Sequence, residues 1–204
     1  MQTEKSHRLV LASASPARRA LLKNAGIDAD VLVSGVDEDV VEAADARSLS
    51  LALARMKART VAARMPAEAG VLILGCDSVL SFDGQILGKP QDAAESVARW
   101  RAMRGRSGVL YTGHHLTELD TGKQAEDVGA TTVHFGEVSD EEIEAYVATE
   151  EPLHMAGSFT IDGRGGAFVE RIEGDAGNVI GLSLPLFRRL LSELGVSITE
   201  LWRP

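Results

Sequence analysis

The stretch Arg8-Leu9-Val10-Leu11-Ala12-Ser13-Ala14-Ser15-Pro16-Ala17-Arg18-Arg19-Ala20-Leu21-Leu22 decides the fold class. Leu9 to Ala12 form a short apolar run of strand character. Ser15 suits a helix N-cap and Pro16 the first helical position, so the spacing predicts a helix from there to Gly26. A strand feeding directly into a helix is the unit of an α/β protein. The junction also offers hydroxyls and free backbone N–H groups to an anion. Arg18 stands out there, because a cation in the first turn opposes the helix dipole unless an anion lies nearby. It shares a helical stripe with Leu22 and Ala25, whereas Arg19 precedes Lys23 by four residues on the solvated face. Arg18, with Ser13 and Ser15, is the candidate phosphate-binding set. The alternative is an ordinary capped helix with basic decoration.

Working outward, Asp30 to Ser34 reads as a second strand, followed by the acidic run Asp37-Glu38-Asp39. Three acids after a strand either coordinate a cation through oxygen or form a solvated loop. Ser48 to Ala63 is the next expected helix, with Leu49, Ala52, Leu53, Met56, Thr60 and Ala63 in register. Lys57 borders that stripe, so it either snorkels to water or reaches into a cleft.

From Gly70 to Pro90 the chain reads as two apolar segments, Val71–Leu74 and Val79–Phe82. A hairpin through Asp83-Gly84 then returns it through Gln85-Ile86-Leu87. Asp77 lies inside this apolar run, where a lone carboxylate is costly, so pairing, metal binding or catalysis is expected of it. Gly75 beside it implies a bulge or a close approach by a ligand. Lys89 sits in the tight turn Gly88-Lys89-Pro90 at the base of the hairpin.

Asp92 to Glu95 reads as a capping box for a helix to Met103, and Ser139 to Glu142 as another for a helix to Thr149. Arg99, Arg101, Arg104 and Arg106 read as a solvated helix face or a subunit contact. Gly108–Leu119 and Gln124–Phe135 are expected to pair as strands. His114 and His115 cannot share a metal ion from one regular strand, because neighbouring side chains face opposite ways. Residues 152 to 166 read as a glycine-rich loop with one short strand, and Ala167–Ile172 as a further strand. Gly174 to Asn178 is a turn and Leu184–Leu194 a last amphipathic helix ended by Gly195. Several hairpins inside an α/β chain imply a mixed sheet, and residues 1–204 read as one unit without a linker.

The chain has 204 residues, 45% hydrophobic and 25% charged, which is ordinary for a globular protein. A net charge of −9 argues against non-specific binding to nucleic acid or anionic membrane. Any phosphate chemistry must therefore rely on a local cluster of cations or on a metal. A single cysteine, Cys76, excludes an intrachain disulfide and a thiolate metal cluster. The segment Met1 to Arg8 lacks an apolar signal region, so a cytoplasmic protein is expected.

Leu11-Ala12-Ser13, Ser15-Pro16, Arg18, Val36-Asp37-Glu38, Lys57, Asp77-Ser78, Asp83-Gly84, Gly88-Lys89-Pro90 and Gly181-Leu182 with Leu184-Pro185 occur together and in order. As a set they resemble the Maf family of nucleoside triphosphate pyrophosphatases, also labelled septum-formation inhibitors, over Leu9 to Leu191. The resemblance implies an inosine-triphosphatase-like fold, with a long twisted mixed sheet flanked by helices and a nucleotide cleft between two lobes. It implies hydrolysis of a nucleoside triphosphate to monophosphate and pyrophosphate by a homodimer, dependent on Mg²⁺ or Mn²⁺. Arg18, Lys57 and Lys89 would supply cations, Ser13 and Ser15 would place phosphate oxygens, and Glu38 would hold the metal. Asp77 resembles the family's catalytic aspartate, as general base or as a metal ligand that orients water.

Three positions bear on the base. Ala17 stands where the pyrimidine-preferring branch has arginine, Ser78 where it has threonine, and Asp162 where it has glutamine. Pro152 to Phe159 looks more like the branch that takes 7-methylguanosine triphosphate. A carboxylate only accepts hydrogen bonds, which suits the N–H groups of guanine, so a guanine-type or broad preference over dTTP and UTP is expected. Two alternatives compete. A nucleotidyltransferase would require a glycine-rich first loop where Ser13-Ala14-Ser15 stands. A nucleotide-sensing or division-regulating protein would bind without turnover.

Overall fold

A computed structural model describes residues 7–38 and 40–203. Asp39, and with it part of the acidic run, lies outside the described residues, as does most of the Met1–Arg8 reading. The order of elements is β1 (Arg8–Leu11), α1 (Pro16–Asn24), β2 (Ala29–Val31), α2 (Ala46–Ala62), β3 (Val71–Phe82), β4 (Gln85–Leu87), α3 (Ala93–Met103), β5 (Ser107–Glu118), β6 (Gln124–Phe135), α4 (Asp140–Val147), β7 (Val169–Glu173), α5 (Ala176–Ile180) and α6 (Leu184–Glu193). The strands form one mixed sheet in the order β2-β1-β3-β5-β6-β7, with β4 paired to β3. β1 runs parallel to β2 and β3, while β3, β5, β6 and β7 pair antiparallel.

The sheet is built on three 12-residue strands, β3, β5 and β6. Side chains alternate along each, so the two faces bury different sets. On one face Leu72, Leu74, Cys76 and Leu116 pack under α1 and α6 with Leu22, Phe187, Leu190 and Leu191. Farther along the strands, Leu80, Phe82 and Leu110 join Trp100, Met103, Ile143 and Tyr146 from α3 and α4. Phe135 and Tyr146 stand edge-on to Trp100, each with its ring centre 5.6 Å away. On the opposite face Val71 and Ile73 pack against Ala58 and Val61 of α2.

Several local expectations shift. The two apolar segments around Asp77 are one continuous strand, β3. There is no bulge at Gly75, because the β3–β5 register runs unbroken from Leu72 to Ser81. A Cβ at Gly75 would lie 2.1 Å from Ala54 O and one at Gly113 2.3 Å from Ser50 O, so both glycines admit the backbone of α2. The close approach foreseen at Gly75 is therefore by a helix, not a ligand. α2 starts two residues earlier than expected, capped by Asp45, whose side chain accepts from Ser48 N. β2 stops at Val31.

The Asp83-Gly84 turn holds, with φ of +52° and +76° as a two-residue hairpin requires. The capping box at Ser139 is complete. At Asp92 only half of one forms, because Glu95 turns its carboxylate to Gln91 N. The expected strand within 152–166 is absent, replaced by short 3₁₀ turns at Glu151–His154, Ala156–Ser158 and Arg164–Phe168. No helix among the described residues is long and apolar enough to cross a membrane.

Candidate active site

β1 ends opposite Leu74, where Ala12 N donates to Leu74 O, and β4 begins only opposite Leu80. Between them Gly75 to Val79 have no strand partner on that side among the described residues. Alternate residues of a strand turn their backbone groups to the same side, so those of Cys76 and Ser78 face this gap as Leu74 does. The gap opens into a cleft of about 720 Å³ lined by Ser13, Ser15, Arg18, Glu38, Lys57, Asp77, Ser78 and Lys89, among others. Eight residues read from the sequence as site residues thus converge. Ala17 and Asp162 do not line the cleft. Ala17 sits one residue before Arg18 in the first turn of α1. Asp162 is exposed, and its carboxylate accepts from the hydroxyl of Thr160, which does line the cleft.

Strand alternation places Asp77 on the α2 face and Ser78 on the α1 face of the same edge. Lys57, deep in α2, is 8% exposed and reaches Asp77 instead of water. Its Nζ lies 2.5 Å from Asp77 Oδ1 and 2.8 Å from Glu38 Oε1. Burial pushes the Asp77 carboxyl above its usual range, against the pull of Lys57 and Arg18. Burial also pushes the neighbouring Cys76 thiol up to about 12, which leaves it inert.

Arg18 is 8% exposed and its three side-chain hydrogen-bond partners among the described residues are all uncharged. Nε donates to Gly181 O at 2.7 Å, Nη1 to Ser13 Oγ and Nη2 to Ser78 Oγ at 3.1 Å each. A guanidinium has five N–H groups, so one remains on each terminal nitrogen. A buried cation with neutral partners and two spare donors is a receptor for an anion. The serines complement it. Ser13 Oγ accepts from Arg18 and from Ser15 N, and Ser15 Oγ accepts from Arg18 N, so both hydroxyl protons are left to donate.

Ser78 passes the arginine's hydrogen bond onward, to Thr112 Oγ1 at 2.9 Å and thence to Asn178 O at 2.8 Å. That chain, with Gly181, orients Arg18 from residues up to 163 positions away. Sequence reading missed Thr112 and Asn178, and met Gly181 only within a motif. His114 belongs to the same support: its Nε2 accepts from Ser183 N at 2.9 Å, beside the Gly181 turn. Burial pulls the His114 ring down to about 4, so it stays neutral. His115 faces the other side of the sheet, with Nδ1 2.7 Å from Glu126 Oε2, so the two rings lie on opposite faces.

Lys89 is exposed at the lip of the cleft. The far wall is apolar, with Val79, Leu110, Phe159 and Val179. One end can thus take a polyanion and the other a flat, weakly polar group. No group of three or more His, Cys, Asp or Glu is placed to hold a metal among the described residues. The fit to Mg²⁺ rests instead on Glu38 and Asp77, two carboxylates converging on one point. This is the donor set that such an ion takes when phosphate oxygens complete its shell.

Comparison with known proteins places the chain in a family. The family model described as Maf-like protein matches residues 8–194. A "Nucleoside triphosphate pyrophosphatase" of Salinispora tropica is 63% identical over 96% of this chain and 87% of its own. One of Streptomyces coelicolor is 57% identical over 100% and 98%. One of Microcystis aeruginosa is 52% identical over 95% and 98%.

Proposed function

The chain belongs to the Maf-like protein family, and we propose that it is a nucleoside triphosphate pyrophosphatase acting as one unit. The observation that carries this is the break in the sheet edge between Leu74 and Leu80. There a buried carboxylate–ammonium pair on one face meets an arginine hydrogen-bonded to neutral groups on the other. A triphosphate laid along that gap meets Arg18 and the two serine hydroxyls on the α1 side and Lys57 on the α2 side. Lys89 closes on it from the lip.

Hydrolysis forms a bond from water oxygen to the α-phosphorus and breaks the bond from that phosphorus to the bridging α–β oxygen. The electron pair leaves with pyrophosphate. Asp77 takes the water's proton, and its burial makes it a stronger base than a solvated aspartate. Arg18, Lys57 and Lys89 hold the phosphate oxygens, and Arg18 and Lys57 balance the charge that grows on them, while Lys89 contributes chiefly to binding. Glu38 and Asp77 would hold Mg²⁺ or Mn²⁺, which supplies further neutralisation of the leaving pyrophosphate.

The base lies against the apolar wall. Asp162 is exposed and outside the cleft lining, but its carboxylate accepts from Thr160, which lines it. As an acceptor it would favour the N–H-bearing edge of a guanine-type base over uracil or thymine. Ala17 leaves out the side chain and Ser78 the methyl group present in the pyrimidine-preferring branch. A cytoplasmic homodimer completes the proposal.

The test is pyrophosphate release with Mg²⁺ or Mn²⁺ from UTP, dTTP, CTP, GTP and 7-methyl-GTP, with wild type and Asp77→Asn side by side. Equal yields of monophosphate and pyrophosphate are expected, reduced about 10²-fold or more in the variant. Tight nucleotide binding without turnover would replace the enzyme with a sensor. A highest kcat/KM on UTP would overturn the base preference alone.

A further inference from the structure

Lys89 carries a positive charge to the lip of the cleft on a turn of four residues, Gly88 to Gln91. A lysine on an exposed turn is a poor phosphate ligand unless the turn itself is rigid, because its ordering entropy is lost on binding. The turn is held at both ends by one ion pair on α3. Arg99 Nη1 donates to Gly88 O at 2.6 Å, and its Nε and Nη2 donate to Glu95 Oε1 at 3.1 and 2.6 Å. The other oxygen of Glu95 accepts from Gln91 N at 2.6 Å. That bond to the turn is the largest influence pulling the Glu95 carboxyl below its usual range. Gly88 O also accepts from Gly157 N at 3.0 Å, which ties the turn to the segment bearing Phe159 and Thr160 on the far wall.

The Arg99 side chain is only 12% exposed, so the solvated face expected from the sequence is corrected here. Arg101, by contrast, remains exposed and pairs with Asp140 and Glu144 at the surface.

We propose that Arg99, braced by Glu95, is a positioning residue for the pyrophosphatase reaction, fixing the Gly88–Gln91 turn so that Lys89 meets the triphosphate. This rests on the assignment of Lys89 as a phosphate ligand. Arg99 touches no substrate. Its effect passes through Lys89, which makes the two residues separable from a merely structural pair.

The experiment is a double-mutant cycle of R99M and K89M, with the best substrate of the panel above and the thermal midpoint measured for each variant. R99M alone raises KM about fivefold with kcat within a factor of two, the loss of one charge-assisted bond to the turn. In the K89M background R99M has no further effect on KM. R99K, which keeps the charge without the fork, recovers part of the loss, and E95Q shifts KM the same way by a smaller factor. E95Q also serves if R99M does not fold.

Effects of R99M and K89M that multiply in the double variant would overturn the inference and leave the reading of Lys89 intact. So would a loss in kcat that follows the thermal midpoint in both backgrounds. A K89M variant with wild-type kinetics would remove the assignment of Lys89 itself and this inference with it.

Discussion

Lys57 Nζ stands 2.5 Å from Asp77 Oδ1, inside a pocket that leaves Asp77 6% exposed. The pair spans 20 residues of sequence and joins the middle of α2 to the middle of β3. Burial raises the Asp77 carboxyl and Lys57 is the largest influence opposing it. The pair therefore sets the pH at which Asp77 is an available base. As the proposed base Asp77 acts deprotonated, so activity is expected to fall as pH drops through its pKa. Removing the ammonium in Lys57→Met raises that pKa further and moves the acid limb of kcat/KM to higher pH. Lys57→Arg keeps the charge and leaves the limb near its wild-type position. Superimposable profiles for Lys57→Met and wild type would show that the limb belongs to another group.

The same ammonium also touches Glu38, so the two carboxylates that would hold a divalent cation already share a positive charge. Substrate-free protein is expected to bind Mn²⁺ weakly, read by electron paramagnetic resonance of the free ion. Lys57→Met binds it more tightly, because two carboxylates then face each other without a counter-charge. Chelation with EDTA abolishes pyrophosphate release. Equal Mn²⁺ affinity in the two proteins would mean that the ion sits elsewhere.

Gly75→Ala places a methyl group 2.1 Å from the carbonyl oxygen of Ala54, a backbone atom that cannot swing away. α2 must lift from β3, at a cost of about 3 kcal/mol. Lys57 moves with the helix, so kcat falls by more than the loss of folded protein explains. A thermal midpoint within one or two degrees of wild type would contradict this packing.

His114 is buried, and its pKa drops from 6.5 to about 4 on folding, chiefly by burial. Between those values the unfolded chain binds a proton that the folded chain does not. Stability is therefore fully present above pH 6.5 and declines as pH falls toward 4, by about 3 kcal/mol from this residue. His115 shifts in the same direction and adds to the slope. Urea unfolding of His114→Gln between pH 4.5 and 7.5 should give the shallower dependence. The glutamine carbonyl is still able to accept from Ser183 N. Equal slopes in both proteins would count against a neutral buried ring.

Much of the local structure could be read from neighbours alone. Ser15-Pro16, Asp83-Gly84 and Ser139 to Glu142 determine a cap, a hairpin and a second cap through contacts within four residues. Arg18 was legible as a cleft residue because its charge opposes the helix that carries it and so demands a partner. Asp77 was legible because a carboxylate in an apolar run demands a partner. Where such rules failed, tertiary contacts had intervened. Glu95 left its own cap to accept from Gln91 N while its other oxygen pairs with Arg99, and Gly157 is used for a turn packed on Leu80.

The sequence by itself thus determined most of the element types, the mixed sheet and the identity of most charged groups in the cleft. It did not determine the 3₁₀ turns of 151–168 or the helix α5, where a turn was expected. Only the tertiary structure decided where they meet. The partner of Asp77, the uncharged cradle of Arg18 and the brace behind Lys89 depend on groups 11 to 163 residues apart. Those meetings follow from which face of β3 each residue takes, from how closely α2 approaches through Gly75 and Gly113, and from where β1 stops and β4 begins. Short-range sterics set the backbone of each segment. The packing of one segment on another sets the distances, and no local window contains it.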